Sequence, residues 1–307
     1  KKYSIMHRYQ ACAERADGGH AEYMAELIMK GAAAAETLCA ETAGLAARLS
    51  GRGVSPCLAV LRVGERDEDI SYERSAAKRC GSVGISVRSV VLPADADEGT
   101  VKAAIEELNR DRLVHGILLM LPLPAGMDTR AVCDTLSPQK DVDGVSSAAM
   151  ADLYEGRGRF FAPCTAQACM ELLHHYGVDV SGRRAVVIGR SIVIGRPVSM
   201  LLLRENATVT LCHRHTENLP EITREADIVI AAAGEKWLVE PEWLRPGQVV
   251  LDVGTNWDEE LGRLCGDVSP EGESLVSAFS PVPGGVGAVT TAVLARHVAQ
   301  AAEMLTE

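Results

Sequence analysis

The run Ala185-Val-Val-Ile-Gly189-Arg190-Ser191-Ile-Val-Ile-Gly195-Arg196-Pro197 constrains the fold more than any other part of the chain. Its first four residues are uniformly apolar, as a parallel strand covered on both faces requires, and Pro197 suits the first turn of a helix running to Leu203. A strand that turns through glycine into a helix presents backbone N–H groups to an anion. The spacing is G-x-S-x-x-x-G and not G-x-G-x-x-G, so the motif by itself leaves an ordinary tight βα turn open as the alternative.

A second strand, Ala207 to Cys212, ends in His213-Arg214-His215-Thr216, near where a Rossmann unit presents the residue that reads the adenosine ribose. An Asp or Glu there selects NAD, whereas an Arg accommodates a 2′-phosphate. Arg190 and Arg214 therefore read as a two-arginine clamp favouring NADP, against the alternative of two solvated surface arginines. Further apolar strands follow from Ile228 to Ala233, ending in Gly234, and from Val249 to Val253, ending in Gly254. Repeated strand-then-glycine endings fit a doubly wound sheet with its ligand at the carboxyl edge.

The first half of the chain alternates in the same way. A helix is expected over Glu22 to Leu49, stopped by Gly51 and Gly53, then a strand from Cys57 to Val63. After an acidic loop come a helix from Tyr72 to Val83, a strand from Ile85 to Leu92, a helix from Thr100 to Asn109, and a strand from Gly116 to Leu121 stopped by Pro122 and Pro124. The fold class is thus α/β in two domains. An amino-terminal extension is expected over 1–22, an α/β catalytic domain over 23–165, and a Rossmann-like NAD(P) domain over 166–288. The last helix, within 289–307, is expected to pack back on the first domain.

A net charge of −11 argues against general binding of nucleic acid or anionic membrane, so an anionic ligand needs its own arginines. No apolar run approaches the roughly 20 residues that span a bilayer, and residues 1–20 resemble neither a signal nor a transit peptide. The nine cysteines include no C-x-x-C pair, which points to reduced thiols in the cytoplasm. Cys212-His213-Arg214-His215 is the one cluster with metal-ligand residue types, but neighbours on a strand face opposite ways and no second pair lies nearby, so no metal is expected. Cys164 and Cys169 read as core thiols, and His174-His175 as the solvated end of a helix.

Several collinear motifs then carry a resemblance: Tyr72 with Lys78 and Gly84-Ile85, Val114-His-Gly-Ile-Leu118, Leu121-Pro-Leu-Pro124, Lys140-Asp-Val-Asp-Gly144, Pro163-Cys-Thr165, Gly189-Arg-Ser191, Asn206-Ala-Thr-Val-Thr210, Gly266-Asp-Val268 and Pro281-Val-Pro-Gly-Gly-Val-Gly287. Together they resemble the methylenetetrahydrofolate dehydrogenase/methenyltetrahydrofolate cyclohydrolase family, often called FolD. The resemblance implies a homodimeric enzyme that oxidises 5,10-methylenetetrahydrofolate with NADP, then hydrolyses the methenyl product, with folate in a cleft between its domains. It implies that Tyr72 stacks on the folate and Asp143 fixes the pterin, both as catalytic residues. The substrate pocket would also take Ala76, Leu119, Met120, Leu121, Pro283, Gly284, Gly285, Val286 and Gly287. Gly189, Arg190, Ser191, Arg214 and Thr255 fall where the family contacts NADP, with Arg214 replacing a common serine. Read without the resemblance, Tyr72 is a packing residue and Asp143 a turn residue.

The chain departs from the pattern at one functional pair. The family's catalytic lysine lies four residues after the tyrosine, which is Ala76 here, and its partner glutamine is Met120. Lys78, a candidate catalytic residue, matches instead a second basic position of the family helix, and six residues at about 100° each put it about 240° around the helix from Tyr72. Ala149, Ala166, Ala168 and Ala288-Val289 also replace family residues around the pocket. Hydrolysis needs a positioned water and a proton-moving group, and neither alanine nor a thioether supplies one. The expectation is therefore a dehydrogenase with weak or absent cyclohydrolase activity. A non-catalytic or altered-substrate relative that retains NADP binding is the alternative.

Overall fold

The computed structural model describes residues 27–260 and 262–306, so the expected extension over 1–22 lies outside the described residues. Its strands are β1 (Leu27–Ile28), β2 (Cys57–Val63), β3 (Ser86–Leu92), β4 (Gly116–Leu119), β5 (Arg184–Ile188), β6 (Thr208–Cys212), β7 (Ile228–Ala231), β8 (Val249–Asp252), β9 (Asn256–Asp258), β10 (Arg263–Cys265) and β11 (Ala278–Ser280). The helices are α1 (Gly31–Gly51), α2 (Asp67–Ser82), α3 (Glu98–Arg110), α4 (Thr129–Cys133), α5 (Ser147–Glu155), α6 (Cys164–His175), α7 (Gly195–Arg204), α8 (Leu219–Glu225), α9 (Pro270–Glu273) and α10 (Val286–Thr306). Two compact units divide them: residues 35–164 with 291–306, and residues 27–34 with 165–290.

The first unit is built on a three-stranded parallel sheet in the order β3-β2-β4. Alternation along β2 sends Ala59, Leu61 and Val63 to one face, where they meet Val101, Ile105 and Leu108 of α3 and Ile117 and Leu119 of β4. Each fully buried leucine, isoleucine or valine among them contributes about 1.5–3 kcal/mol. The carboxylate of Asp97 caps α3 by accepting the N–H of Thr100 at 2.8 Å. Helix α2 starts a full turn before the expected Tyr72. Asp67, Glu68 and Asp69 complement the positive end of the helix, and Arg66 forks onto Asp69 at 2.7–2.8 Å. The acidic stretch that reads as loop is a helix start.

The second unit holds a six-stranded, all-parallel sheet in the order β1-β11-β8-β7-β5-β6. Strands β5, β7 and β8 are buried nearly throughout, which explains their unbroken apolar runs. Chain order reverses beside β5, with β6 on one flank and β7 on the other, and this is the switch point of a doubly wound sheet.

Two expectations need correction. The helix read from Glu22 begins at Gly31, because Leu27 and Ile28 form an edge strand paired in parallel with Ala278 and Phe279. Through that pairing residues 27–34 cluster with 165–290. Helix α10 starts at Val286, ahead of the expected 289–307, and its residues from 291 onward fall in the first unit. There His297 stacks on Phe161 with ring centroids 4.7 Å apart. No helix of the described residues is long and apolar enough to cross a membrane.

Candidate functional site

In the first unit Tyr72 lies in α2 and Asp143 in the loop beyond β4, and both are half-buried. Burial pushes the Tyr72 hydroxyl well above the usual tyrosine range, and the charge of Asp143 adds to that effect. Burial also lifts the Asp143 carboxyl to about 6, assisted by the charge of Asp141 and opposed by the hydrogen bond it accepts from the Cys164 N–H at 3.0 Å. The Cys164 thiol donates to the Val142 carbonyl at 3.3 Å and lies 3.7 Å from Nδ1 of the buried His297. That same Nδ1 is 2.9 Å from the Val142 oxygen.

The lost pair is apolar and enclosed. Ala76 is fully buried and Met120 is 7% exposed, while Lys78 is exposed on another face of α2, as the helical geometry requires. Leu119 is buried and Leu121 half-buried beside them in sequence. The one carboxylate adjoining Tyr72 in the chain, Glu73, is tied to Arg62 at 2.8 Å.

The Lys140-Asp-Val-Asp-Gly144 run divides its labour. Lys140 is buried and its Nζ donates to the carbonyls of Leu108, Asn109 and Asp111 at 3.1, 2.9 and 2.7 Å, closing the carboxyl end of α3. Asp141 is fully buried and accepts the N–H groups of Val145 and Ser146 at 3.1 and 2.8 Å. Asp141 is thus the turn residue, and Asp143 keeps most of its acceptor capacity open.

In the second unit a cavity of about 700 Å³ opens at the carboxyl ends of β5, β6 and β7. It brings together Gly189, Arg190 and Arg214 of the expected set and adds His213, Thr216, Gly234, Glu235 and Leu238. Thr255 and Ser191 do not line it. The Ser191 Oγ instead accepts the N–H groups of Ile194 and Gly195 at 3.1 and 3.4 Å, closing the turn into α7. A Cβ on Gly189 would collide with the carbonyl of Ala232, and one on Gly195 with the carbonyl of Gly189. These two glycines allow backbone to lie on backbone, and the six-residue separation replaces the usual spacing without losing that contact. Arg190 and Arg214 are exposed, and no ion pair among the described residues engages either. Cys212 is buried below the cavity, and among the described residues no three His, Cys, Asp or Glu side chains converge as a metal site would require. The extra lining residues follow the strand ends at Cys212 and Ala231. His213, Thr216 and Gly234 had a sequence signal in the strand endings, whereas Glu235 and Leu238 had none.

The segment Pro281 to Gly287 also lies in this unit. Pro283, Gly284 and Gly287 are exposed, Gly285 and Val286 buried, and the Gly284 carbonyl accepts the N–H of Gly31 at 2.8 Å. Bare backbone is thereby held outward, open to close approach.

Comparisons with known proteins agree on what this arrangement is. The family profile described as tetrahydrofolate dehydrogenase/cyclohydrolase, catalytic domain, matches residues 29–143, and its NAD(P)-binding domain counterpart matches 163–306. The bifunctional protein FolD of Carboxydothermus hydrogenoformans is 42% identical over 284 residues, covering 92% of this chain and 99% of that protein. The Clostridioides difficile protein of the same name is 43% identical over 90% of this chain and 96% of its own length. Among solved structures, FolD from Campylobacter jejuni superposes with a TM-score of 0.88 at 36% identity, covering 90% of this chain and 98% of that one. The Trypanosoma brucei enzyme, solved with NADP and an inhibitor, gives 0.86 at 34% identity, covering 92% and 98%. With both halves matched in order and a fold common to all of these relatives, the chain belongs to the tetrahydrofolate dehydrogenase/cyclohydrolase family.

Proposed function

We propose that this chain oxidises 5,10-methylenetetrahydrofolate with NADP and hydrolyses the methenyl product weakly or not at all. The observation that carries the reading is the coexistence of Tyr72 and Asp143 with buried, chemically inert Ala76 and Met120 in one unit. Asp143, with one oxygen engaged by Cys164, takes N–H donors of the pterin on its remaining lone pairs. The Tyr72 ring supplies a flat apolar face for the folate.

NADP, when bound, supplies the hydride acceptor. Removing a hydride from the methylene carbon asks the protein for orientation and exclusion of water, not for proton transfer. Hydrolysis asks for more, since a water must lose a proton as it attacks the methenyl carbon. Tyr72 holds its proton tightly, and Ala76 and Met120 have none to exchange.

The glycine turn and the two arginines fit a phosphorylated dinucleotide. Ser191 spends its oxygen as an acceptor inside the turn, so its O–H remains to donate to a phosphate. Arg190 and Arg214 supply fixed positive charge for a 2′-phosphate. Thr255, exposed after β8, and the outward backbone of 283–287 complete the proposed contacts to NADP and folate respectively.

A homodimer is proposed as well, supported by the β9–β10 hairpin, where Trp257 and Leu264 stand directly opposite one another at 61% and 41% exposure. Trp257→Glu is expected to convert a dimer to a monomer by light scattering. Free thiols at all described cysteines support a reducing, cytoplasmic setting. The main test is spectrophotometric: NADPH formation from methylenetetrahydrofolate, followed by the decay of methenyl absorbance. Absence of NADPH at every folate concentration overturns the dehydrogenase reading, and rapid enzyme-dependent methenyl decay overturns the loss of hydrolysis.

A further inference from the structure

We infer that Asp267 is a positioning residue for the cofactor, holding residues 233–235 as a cavity wall that accepts hydrogen bonds and turns phosphate away. The inference rests on the NADP reading of that cavity. Asp267 is fully buried, and its carboxylate accepts the N–H groups of Ala233, Gly234 and Glu235 at 2.6, 3.0 and 2.9 Å. Asn256 Nδ2 supplies a fourth bond at 3.0 Å, which fills the lone pairs of both oxygens.

Asp267 is itself held by a second buried carboxylate. Asp252, at the end of β8, accepts the N–H groups of Gly254, Asp267 and Val268 at 3.1, 2.9 and 2.9 Å. Both carboxylates press on backbone that carries no side chain: a Cβ on Gly254 would strike the Asp267 carboxylate, and one on Gly266 the Asp252 carboxylate. The Gly266-Asp-Val268 run is thus the hub that joins the ends of β7 and β8.

The consequence for a ligand is chemical. Ala233, Gly234 and Glu235 all line the cavity, and the neighbouring Ala232 carbonyl abuts Gly189. Because their N–H groups are consumed by Asp267, this wall offers a ligand only carbonyls and side chains, with a buried negative charge behind them. Phosphate is driven to the Gly189–Ser191 turn and its arginines, and the wall is left for the cofactor groups that donate, namely ribose hydroxyls and the carboxamide N–H.

The test compares the wild type with Asp267→Asn and Asn256→Ala by calorimetry with NADP, steady-state kinetics and thermal melting. In Asp267→Asn an amide N–H faces backbone N–H groups, so the Kd for NADP is expected to rise about tenfold, the KM for NADP to rise more than kcat falls, and the KM for folate to hold. Asn256→Ala removes one of the four bonds and is expected to raise the Kd by about two- to fivefold, which keeps the test decisive if Asp267→Asn does not fold. Unchanged NADP affinity in the folded variants, or a fall in kcat at constant Kd, overturns the inference. A wild type that binds no NADP overturns the cavity reading itself, and is seen before any variant is made.

Discussion

The Asp143 carboxylate accepts the N–H of Cys164 at 3.0 Å, while the thiol of that same Cys164 sits 3.7 Å from Nδ1 of His297. One short segment therefore ties the proposed pterin-binding acid to the carboxyl-terminal helix.

Asp143 makes the enzyme pH-sensitive in a definite direction. Its carboxyl is raised from its ordinary 3.8 to about 6, so the stability linked to it is fully present below pH 3.8 and is lost as pH rises through about 6. Substrate binding runs the other way, because only the ionised form accepts the pterin N–H groups without competition. The folate kcat/KM is expected to rise through an inflection near pH 6, and Asp143→Asn to remove that inflection and lower kcat/KM by about 100-fold. A flat wild-type profile across that range counts against the assignment.

Restoring the lost pair should restore the lost step. Ala76→Lys with Met120→Gln is expected to raise enzyme-dependent methenyl hydrolysis by about tenfold or more without altering cofactor preference. Because Ala76 is fully buried, the lysine alone should cost about 1–3 kcal/mol of stability, readable as a lowered melting temperature. No gain in hydrolysis from the double variant means the pocket has diverged beyond these positions.

Cofactor choice rests on two exposed arginines. Arg190→Ala with Arg214→Ser is expected to weaken NADP by about 10- to 100-fold while NAD changes by less than about threefold. Titration calorimetry with each dinucleotide decides it, and an equal loss for both refutes the 2′-phosphate assignment.

Lys140 is a stability residue despite standing in the most distinctive motif. Lys140→Met leaves three buried-side carbonyls at the end of α3 without their donor, and should cost about 2–4 kcal/mol in denaturant unfolding. Dehydrogenase kinetics of the folded variant should stay near wild type, since the side chain points away from Asp143 toward Leu108 to Asp111. A large fall in kcat in a stable variant would reassign it to the site.

What the sequence revealed tracks the physics that wrote it. Strands β5, β7 and β8 were legible because burial on both faces demands unbroken apolar runs, and the glycines after them because a side chain would break each site: Gly189 lies against backbone, Gly234 takes a left-handed turn and Gly254 lies against the Asp267 carboxylate. Two-residue β1 was not, since its pairing with β11 joins Leu27 and Ile28 to Ala278 and Phe279, far along the chain. The start of α2 was hidden by acidic residues that suit both loops and helix amino ends. Tyr72 and Asp143 were named through family motifs and the arginines through the strand-end pattern of a Rossmann unit, whereas the division of Lys140, Asp141 and Asp143 into clamp, turn and acceptor emerges only in the fold. The 233–235 wall and His297 were missed for one reason: their partners lie 30 or more residues distant.

The part of helix α10 from residue 291 onward completes a unit whose other residues end at Cys164, with residues 165–290 of the second unit encoded in between. On the ribosome, residues 35–164 emerge long before His297 and the helix that clamps the Val142 carbonyl. The proposed active-site loop is therefore finished only after residues 165–290 have been made, and a chain cut before residue 291 carries a Rossmann unit without a completed site for folate.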